Sequence, residues 1–127
     1  MKTILVDAIN TFINIDDGIF YEMYKMLELF KNKKIILTSA NDEQMKMFGL
    51  ADMPYEVFTL KHNPEKTNPD YYKTMLKHFS LDKKDVVYFE HNGDAVICAR
   101  SVGINTFHYD LDKKDIIKLK YFIDENI

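Results

Sequence analysis

The residues of this sequence best suited to chemistry fall at the ends of apolar runs. Ile4-Leu5-Val6 stops at Asp7, Ile35-Ile36-Leu37 stops at Thr38-Ser39, and Val86–Phe89 stops at Glu90-His91-Asn92-Gly93-Asp94. Open α/β sheets build their sites where strands end in this way. A carboxylate at Asp7 could attack phosphorus in line and form an acyl-phosphate. The Thr38 hydroxyl could donate to a phosphoryl oxygen. Lys66, in the polar stretch Lys61–Thr67, could neutralise charge on the transferring group and on Asp7. A carboxylate near the fourth strand could help hold a hard divalent cation against Asp7 and the phosphate. The chemistry this set suits is phosphoryl transfer to a carboxylate.

Such a set works only if the chain brings these run ends together. Thr3–Asp7 is predicted as the first strand, with consecutive rather than alternating apolar residues, as in a parallel strand buried on both faces. Asp16-Asp17-Gly18 between apolar pairs predicts a small β-flap within Phe12–Phe20. Met23, Met26, Leu27 and Phe30 recur at helical spacing over Tyr21–Lys31. Asn41 with Gln44 three residues on forms a capping box for a short helix over Asp42–Phe48, ending near Gly49. Tyr55–Leu60 reads as a third strand. Asn68-Pro69 starts a helix that runs to Phe79. Val86–Phe89 is the fourth strand, Ala95–Val102 a small-residue helix closed by Gly103, and Ile104–His108 the fifth strand. Asp112 and Asp115 are placed to cap a last amphipathic helix carrying Ile116, Ile117, Leu119 and Ile123. This β-α alternation predicts an α/β, three-layer Rossmann-like fold: about five parallel strands, helices on both faces and right-handed crossovers. One domain spanning residues 1–127 is expected from the length.

The totals exclude several classes. A net charge of −3 implies no general attraction to nucleic acid or to an anionic membrane. No apolar run approaches membrane-spanning length. The single cysteine, Cys98, has no internal partner and fits a reducing compartment. The N-terminal residues show no signal-peptide pattern, so a cytoplasmic protein is expected. Cys98 falls in a small-residue helix and reads as core. His62, His78 and His108 have no spacing that suggests a metal site. Asp16-Asp17 reads as a turn.

Four segments in order resemble the motifs of the haloacid dehalogenase-like superfamily. They are Val6-Asp7-Ala8-Ile9-Asn10-Thr11, Ile35-Ile36-Leu37-Thr38-Ser39, Lys66-Thr67-Asn68-Pro69, and Val87-Tyr88-Phe89-Glu90-His91-Asn92 continuing to Gly103-Ile104. The resemblance implies a magnesium-dependent phosphatase ancestry with Asp7 as nucleophile and Thr38 and Lys66 as phosphate binders. It places Ile9, Thr11, Ser39 and Asn92 on the substrate side, and Asp7, Glu90, His91 and Asp94 around a Mg²⁺ ion. Two positions depart from the family's pattern. The aspartate that usually moves protons, two residues after the nucleophile, is Ile9 here, and general acid–base catalysis is worth roughly 10²–10⁴-fold. The metal-binding aspartate falls at His91, and imidazole is a poor ligand for magnesium. The expected activity is therefore weak or lost. The alternative is a non-catalytic module that keeps the fold to bind a phosphorylated ligand or a protein partner. Phosphotransfer or dehalogenation by a branch lacking the second acid ranks behind both, because dehalogenating relatives usually carry a large cap.

The family inserts its cap domains after the first motif or between the second and third. Thr11 to Ile35 holds only a flap and a helix, and Ser39 to Lys66 only a helix, a strand and a loop. No cap domain is expected. The resemblance to capless members implies an open site, reached by a bulky or macromolecular phosphorylated substrate or covered by a partner subunit in an oligomer. An uncovered site excludes water poorly and discriminates poorly among small substrates.

Overall fold

The computed structural model describes residues 1–127. The chain runs β1 (Thr3–Asp7), β2 (Ile13–Asn14), β3 (Gly18–Ile19), α1 (Tyr21–Leu27), β4 (Lys34–Thr38), α2 (Asp42–Met47), β5 (Glu56–Thr59), α3 (Pro69–His78), β6 (Val86–Glu90), α4 (Gly93–Ser101), β7 (Asn105–His108) and α5 (Ile116–Asn126). A short 3₁₀ turn, Lys83–Asp85, precedes β6. The main sheet has the order β5-β4-β1-β6-β7, and every neighbouring pair is parallel. The first strand is therefore central. The chain winds outward from it through β4 and β5, then returns to wind the other way through β6 and β7. That reversal leaves a crevice beyond the carboxyl ends of β1, β4 and β6, where open α/β sheets place their ligands.

The consecutive apolar residues of β1 are explained by two cores, one on each face. Ile4 and Val6 pack with Met23, Leu27, Leu119 and Ile123, under α1 and α5. Leu5 points the other way, to Tyr71, Tyr72, Met75 and Ala99 under α3 and α4. All five residues of β1, β4 and β6 are buried in each strand. Asp7, Thr38 and Glu90 are thus delivered at sheet ends with no solvent beneath them, and each must find its polar partners above the sheet.

Most elements lie where the sequence places them, and the local chemistry is visible. Asn41 and Gln44 form the reciprocal capping box at α2. Asn68 accepts from the Asp70 amide, with Pro69 in the first turn of α3. The β2–β3 flap pairs antiparallel across Asp16-Asp17. Some ends differ. The first helix closes at Leu27 rather than Lys31, because Leu29 and Phe30 donate to carbonyls only three residues back and Leu29 is exposed. The chain there tightens into turns that still bury Phe30. Asp112 does not cap α5. Asp115 does so alone, accepting from the Lys118 amide at 2.9 Å, while the Asp112 amide is held by Asp110. Between β1 and β4 stand only the flap and α1, and between β4 and Lys66 only α2 and β5. No inserted domain covers the crevice. No helix is long and apolar enough to cross a membrane.

Candidate functional site

The crevice is an open hollow of about 270 Å³, and Asp7, Thr38, Ser39, Lys66, Glu90 and His91 all face it. Asp7 comes from the end of β1 and Glu90 from the end of β6. Lys66 comes from the loop after β5, whose position is fixed by its own backbone amide donating to Ser39 Oγ at 2.9 Å. Residues 59 and 24 positions apart meet there: the Lys66 ammonium donates to Asp7 Oδ1 at 2.6 Å and to Glu90 Oε1 at 2.7 Å. It also reaches the Leu37 carbonyl at 3.3 Å.

The other Asp7 oxygen is equally engaged. Oδ2 accepts from the Thr11 hydroxyl at 2.7 Å, from the His91 backbone amide at 3.2 Å and from His91 Nδ1 at 2.5 Å. Thr11 reaches it because the loop after β1 curls back on itself, with Asn10 in the left-handed region at φ 72°. Asparagine tolerates that conformation better than most residues. Glu90 is held in the same manner. Tyr88 donates to Oε1 at 2.5 Å, the Asn92 amide donates to Oε2 at 3.0 Å, and His91 Nδ1 stands 3.3 Å from Oε2. Both carboxylates are fully buried.

The electrostatics follow from this packing. Burial alone would raise the Asp7 carboxyl, but the Lys66 charge and the His91 hydrogen bond outweigh it and hold the group well below the usual carboxylate range. Burial would lower Lys66; the charges of Asp7 and Glu90 overcome that and raise it. Glu90 is pushed up to about 7, first by burial and then by the Asp7 charge, with Lys66 opposing. The bond to Asp7 raises His91 against the effect of its partial burial. Burial, then the Glu90 charge, holds the Tyr88 phenol protonated. The result is an ionised Asp7 between the Lys66 ammonium and the His91 ring, beside a carboxyl close to its titration point.

Of the residues expected at the site, Asp7, Ile9, Thr38, Ser39, Lys66, Glu90, His91 and Asn92 all line the hollow. Thr38 Oγ1 accepts from the Ala40 amide at 3.2 Å, which leaves its hydroxyl proton to give. Two residues stand elsewhere. Thr11 is buried beneath the hollow and serves Asp7 rather than facing a ligand. Asp94 is exposed in the first turn of α4. The helix begins at Gly93 with Asn92 as its cap, accepting from the amides of Asp94 and Ala95, so the Asp94 side chain is carried outward, away from Asp7.

The structure adds residues that spacing did not reveal. His62, whose spacing in the sequence suggests no metal site, sits on the rim between Glu65 (3.0 Å) and Gln44 (2.5 Å). Tyr88 supports Glu90 from below, and for this one a signal existed: residues two apart in a strand share a face. His108 Nε2 lies 3.0 Å from the His91 carbonyl and steadies that turn.

Ligating atoms of Asp7, Glu90 and His91 lie within 4.8 Å of one another. As arranged, they do not fit magnesium. That ion takes oxygen ligands in near-octahedral geometry, whereas here an ammonium already bridges the two carboxylates and the imidazole nitrogen is spent on Asp7.

No protein-family model matches the sequence, and no curated protein sequence matches it. Solved structures do. One is a HAD family enzyme from Bacteroides thetaiotaomicron, an aspartate-to-alanine mutant in complex with magnesium and inorganic phosphate. It is 14% identical over 87% of this chain and 95% of that one, with a TM-score of 0.68. The chain has the haloacid dehalogenase-like fold. A haloacid dehalogenase-like protein of unknown function from Agrobacterium tumefaciens superposes with a TM-score of 0.69 at 15% identity, over 87% of this chain and 63% of its own. An uncharacterised protein from Corynebacterium glutamicum matches over 98% of this chain and 96% of its own, with a TM-score of 0.63 at 13% identity. The matches to the Bacteroides and Corynebacterium proteins thus span nearly the whole length of those chains.

Proposed function

We propose that the hollow is a phosphoryl-group site of the phosphatase type, with Asp7 in the place of the nucleophile and turnover limited by the lack of a proton donor at Ile9. The observation that carries the reading is the 2.6 Å contact between the Asp7 carboxylate and the Lys66 ammonium at the floor of an open crevice, on a fold shared with a phosphate-bound enzyme. Lys66 keeps Asp7 ionised and offers charge to the transferring group. Thr38 and Ser39 present hydroxyls on the same side. In the chemical step an Asp7 oxygen bonds to phosphorus as the ester bond breaks. The ester oxygen leaves with the electron pair, and water later cleaves the acyl-phosphate to inorganic phosphate and a restored carboxylate.

Ile9 lines the hollow where a proton donor would serve that leaving oxygen. The oxygen must depart as an anion, so only esters of acidic alcohols react. Aryl phosphates are expected to be hydrolysed slowly and alkyl phosphates not at all. The comparison is run with a panel of divalent metals and an Asp7→Asn control. Activity lost in the control supports the enzyme. Restoring both departures, Ile9→Asp with His91→Asp, is expected to raise the rate with Mg²⁺, by roughly 10²–10⁴-fold if a general acid is what was missing.

A second reading has an observation of its own. Every oxygen of Asp7 and Glu90 already accepts a hydrogen bond from the protein, and a carboxylate so engaged is a poor nucleophile. On that reading the hollow holds a phosphorylated ligand without cleaving it. A wild-type protein that binds phosphate but matches the Asp7→Asn control with every metal favours this second reading.

A further inference from the structure

A metal ion bridging Asp7 and Glu90 would need room between two carboxylates, and this molecule has filled that room with its own side chains. His91 Nδ1 is 2.5 Å from Asp7 Oδ2 and 3.3 Å from Glu90 Oε2, so a single ring nitrogen reaches an oxygen of each acid. Lys66 Nζ does the same from the other side, at 2.6 and 2.7 Å. Two acids therefore meet two basic side chains. The ring is anchored, since its own backbone amide donates to the same Asp7 oxygen and its carbonyl contacts His108. Nε2 makes no hydrogen bond to the protein, and the ring borders the hollow, partly exposed.

We propose that His91 takes the part of a divalent cation, and that the hollow binds phosphoryl anions without metal, between Lys66 and the free edge of the His91 ring. The inference rests on the phosphoryl reading above and adds the source of its counter-charge. A phosphoryl dianion placed beside Asp7 meets a negative neighbour and needs positive charge supplied around it. Lys66 supplies it from one side. The imidazole, held through Nδ1 by Asp7, offers the anion an Nε2–H donor and a positive charge in its doubly protonated form, which the bond to Asp7 favours. An additional divalent cation would be forced against both basic side chains and would have to displace one of them from its carboxylates.

The test is a titration of the full chain, stripped with EDTA, with inorganic phosphate, followed by calorimetry and phosphorus NMR. The expected result is saturable binding with the same dissociation constant before and after millimolar Mg²⁺ is added. His91→Asn keeps a hydrogen-bond donor to Asp7 while removing the ring; it is expected to fold, as checked by circular dichroism, and to weaken phosphate roughly tenfold or more. His91→Asp is expected to make binding depend on Mg²⁺. Phosphate binding that requires Mg²⁺ in the wild-type chain overturns the inference and leaves the phosphoryl reading standing. So does undiminished binding by His91→Asn. A wild-type chain that binds no phosphate in either condition overturns both.

Discussion

Two histidine–carboxylate pairs border the same hollow, and burial makes them different objects. In the deep pair, His91 meets an Asp7 with no exposed surface, backed by Lys66, Thr11 and a second buried acid. In the rim pair, His62 meets Glu65 at 3.0 Å, with side chains 37% and 55% exposed. The deep pair can be broken only by leaving a charge stranded in a dry place, which is far costlier than the pair itself is favourable. The rim pair exchanges its contact for water at almost no cost. The deep pair is therefore part of the fold, while the rim pair is free to rearrange around whatever enters the hollow.

The strongest way to break the comparison is to remove the cation that both deep acids share. Lys66→Met keeps the length of the side chain and deletes its charge, leaving Asp7 and Glu90 facing each other without exposure. The expected cost is about 3–5 kcal/mol of folding stability, read from urea or thermal unfolding. A loss no larger than that of an exposed lysine would mean that water reaches the carboxylates and that Asp7 and Glu90 are not sealed from solvent.

The next effect is smaller and has a sign. Glu90 is raised to about 7 from an ordinary 4.5, so between those values the folded chain holds a proton the unfolded chain has lost, and stability falls as pH rises through the window. His91 is raised above its ordinary 6.5; its contribution is present below that value and is lost as pH rises through its folded value, in the same direction. Asp7 is depressed, and its contribution disappears only in strong acid, as pH falls. Stability is thus expected to decline from about pH 5 to pH 8. Glu90→Gln, which faces the same Asp7, Lys66, Tyr88 and His91 groups without titrating, should flatten that decline by at most about 3 kcal/mol. An unchanged slope in Glu90→Gln would assign the titration to another group.

How much of this was legible in the sequence differs between the same two regions. The ends of β1 and β4 were readable because a continuous apolar run that stops at a polar residue specifies both a buried strand and its exit point. The meeting of Asp7 with Lys66 followed from topology alone, since parallel strands with right-handed crossovers leave one common edge. The position of Asp94 was not readable: one residue of helix phase decides whether it turns inward, and the phase was set by Asn92 capping at Gly93. The inward turn of Thr11 depended on a single left-handed residue, Asn10. The rim pair was invisible because its members acquire their geometry from a loop with Lys61 and His62 both at positive φ, which no hydrophobic pattern encodes.

The rim pair also gives the finest test of the contrast. His62 touches Glu65 and Gln44, and neither contact is sealed from water. His62→Ala removes both. Gln44 keeps its role in the α2 capping box, because its Oε1 also accepts from the Asn41 amide at 3.0 Å, so the helix start survives the change. The expected effect on stability is within about 0.5 kcal/mol. Because His62 and Glu65 line the hollow, the same substitution is expected to alter the affinity for a phosphorylated ligand more than it alters stability. A melting temperature that falls as far as in Lys66→Met would show that the rim is as structural as the floor, and the distinction between them would be gone.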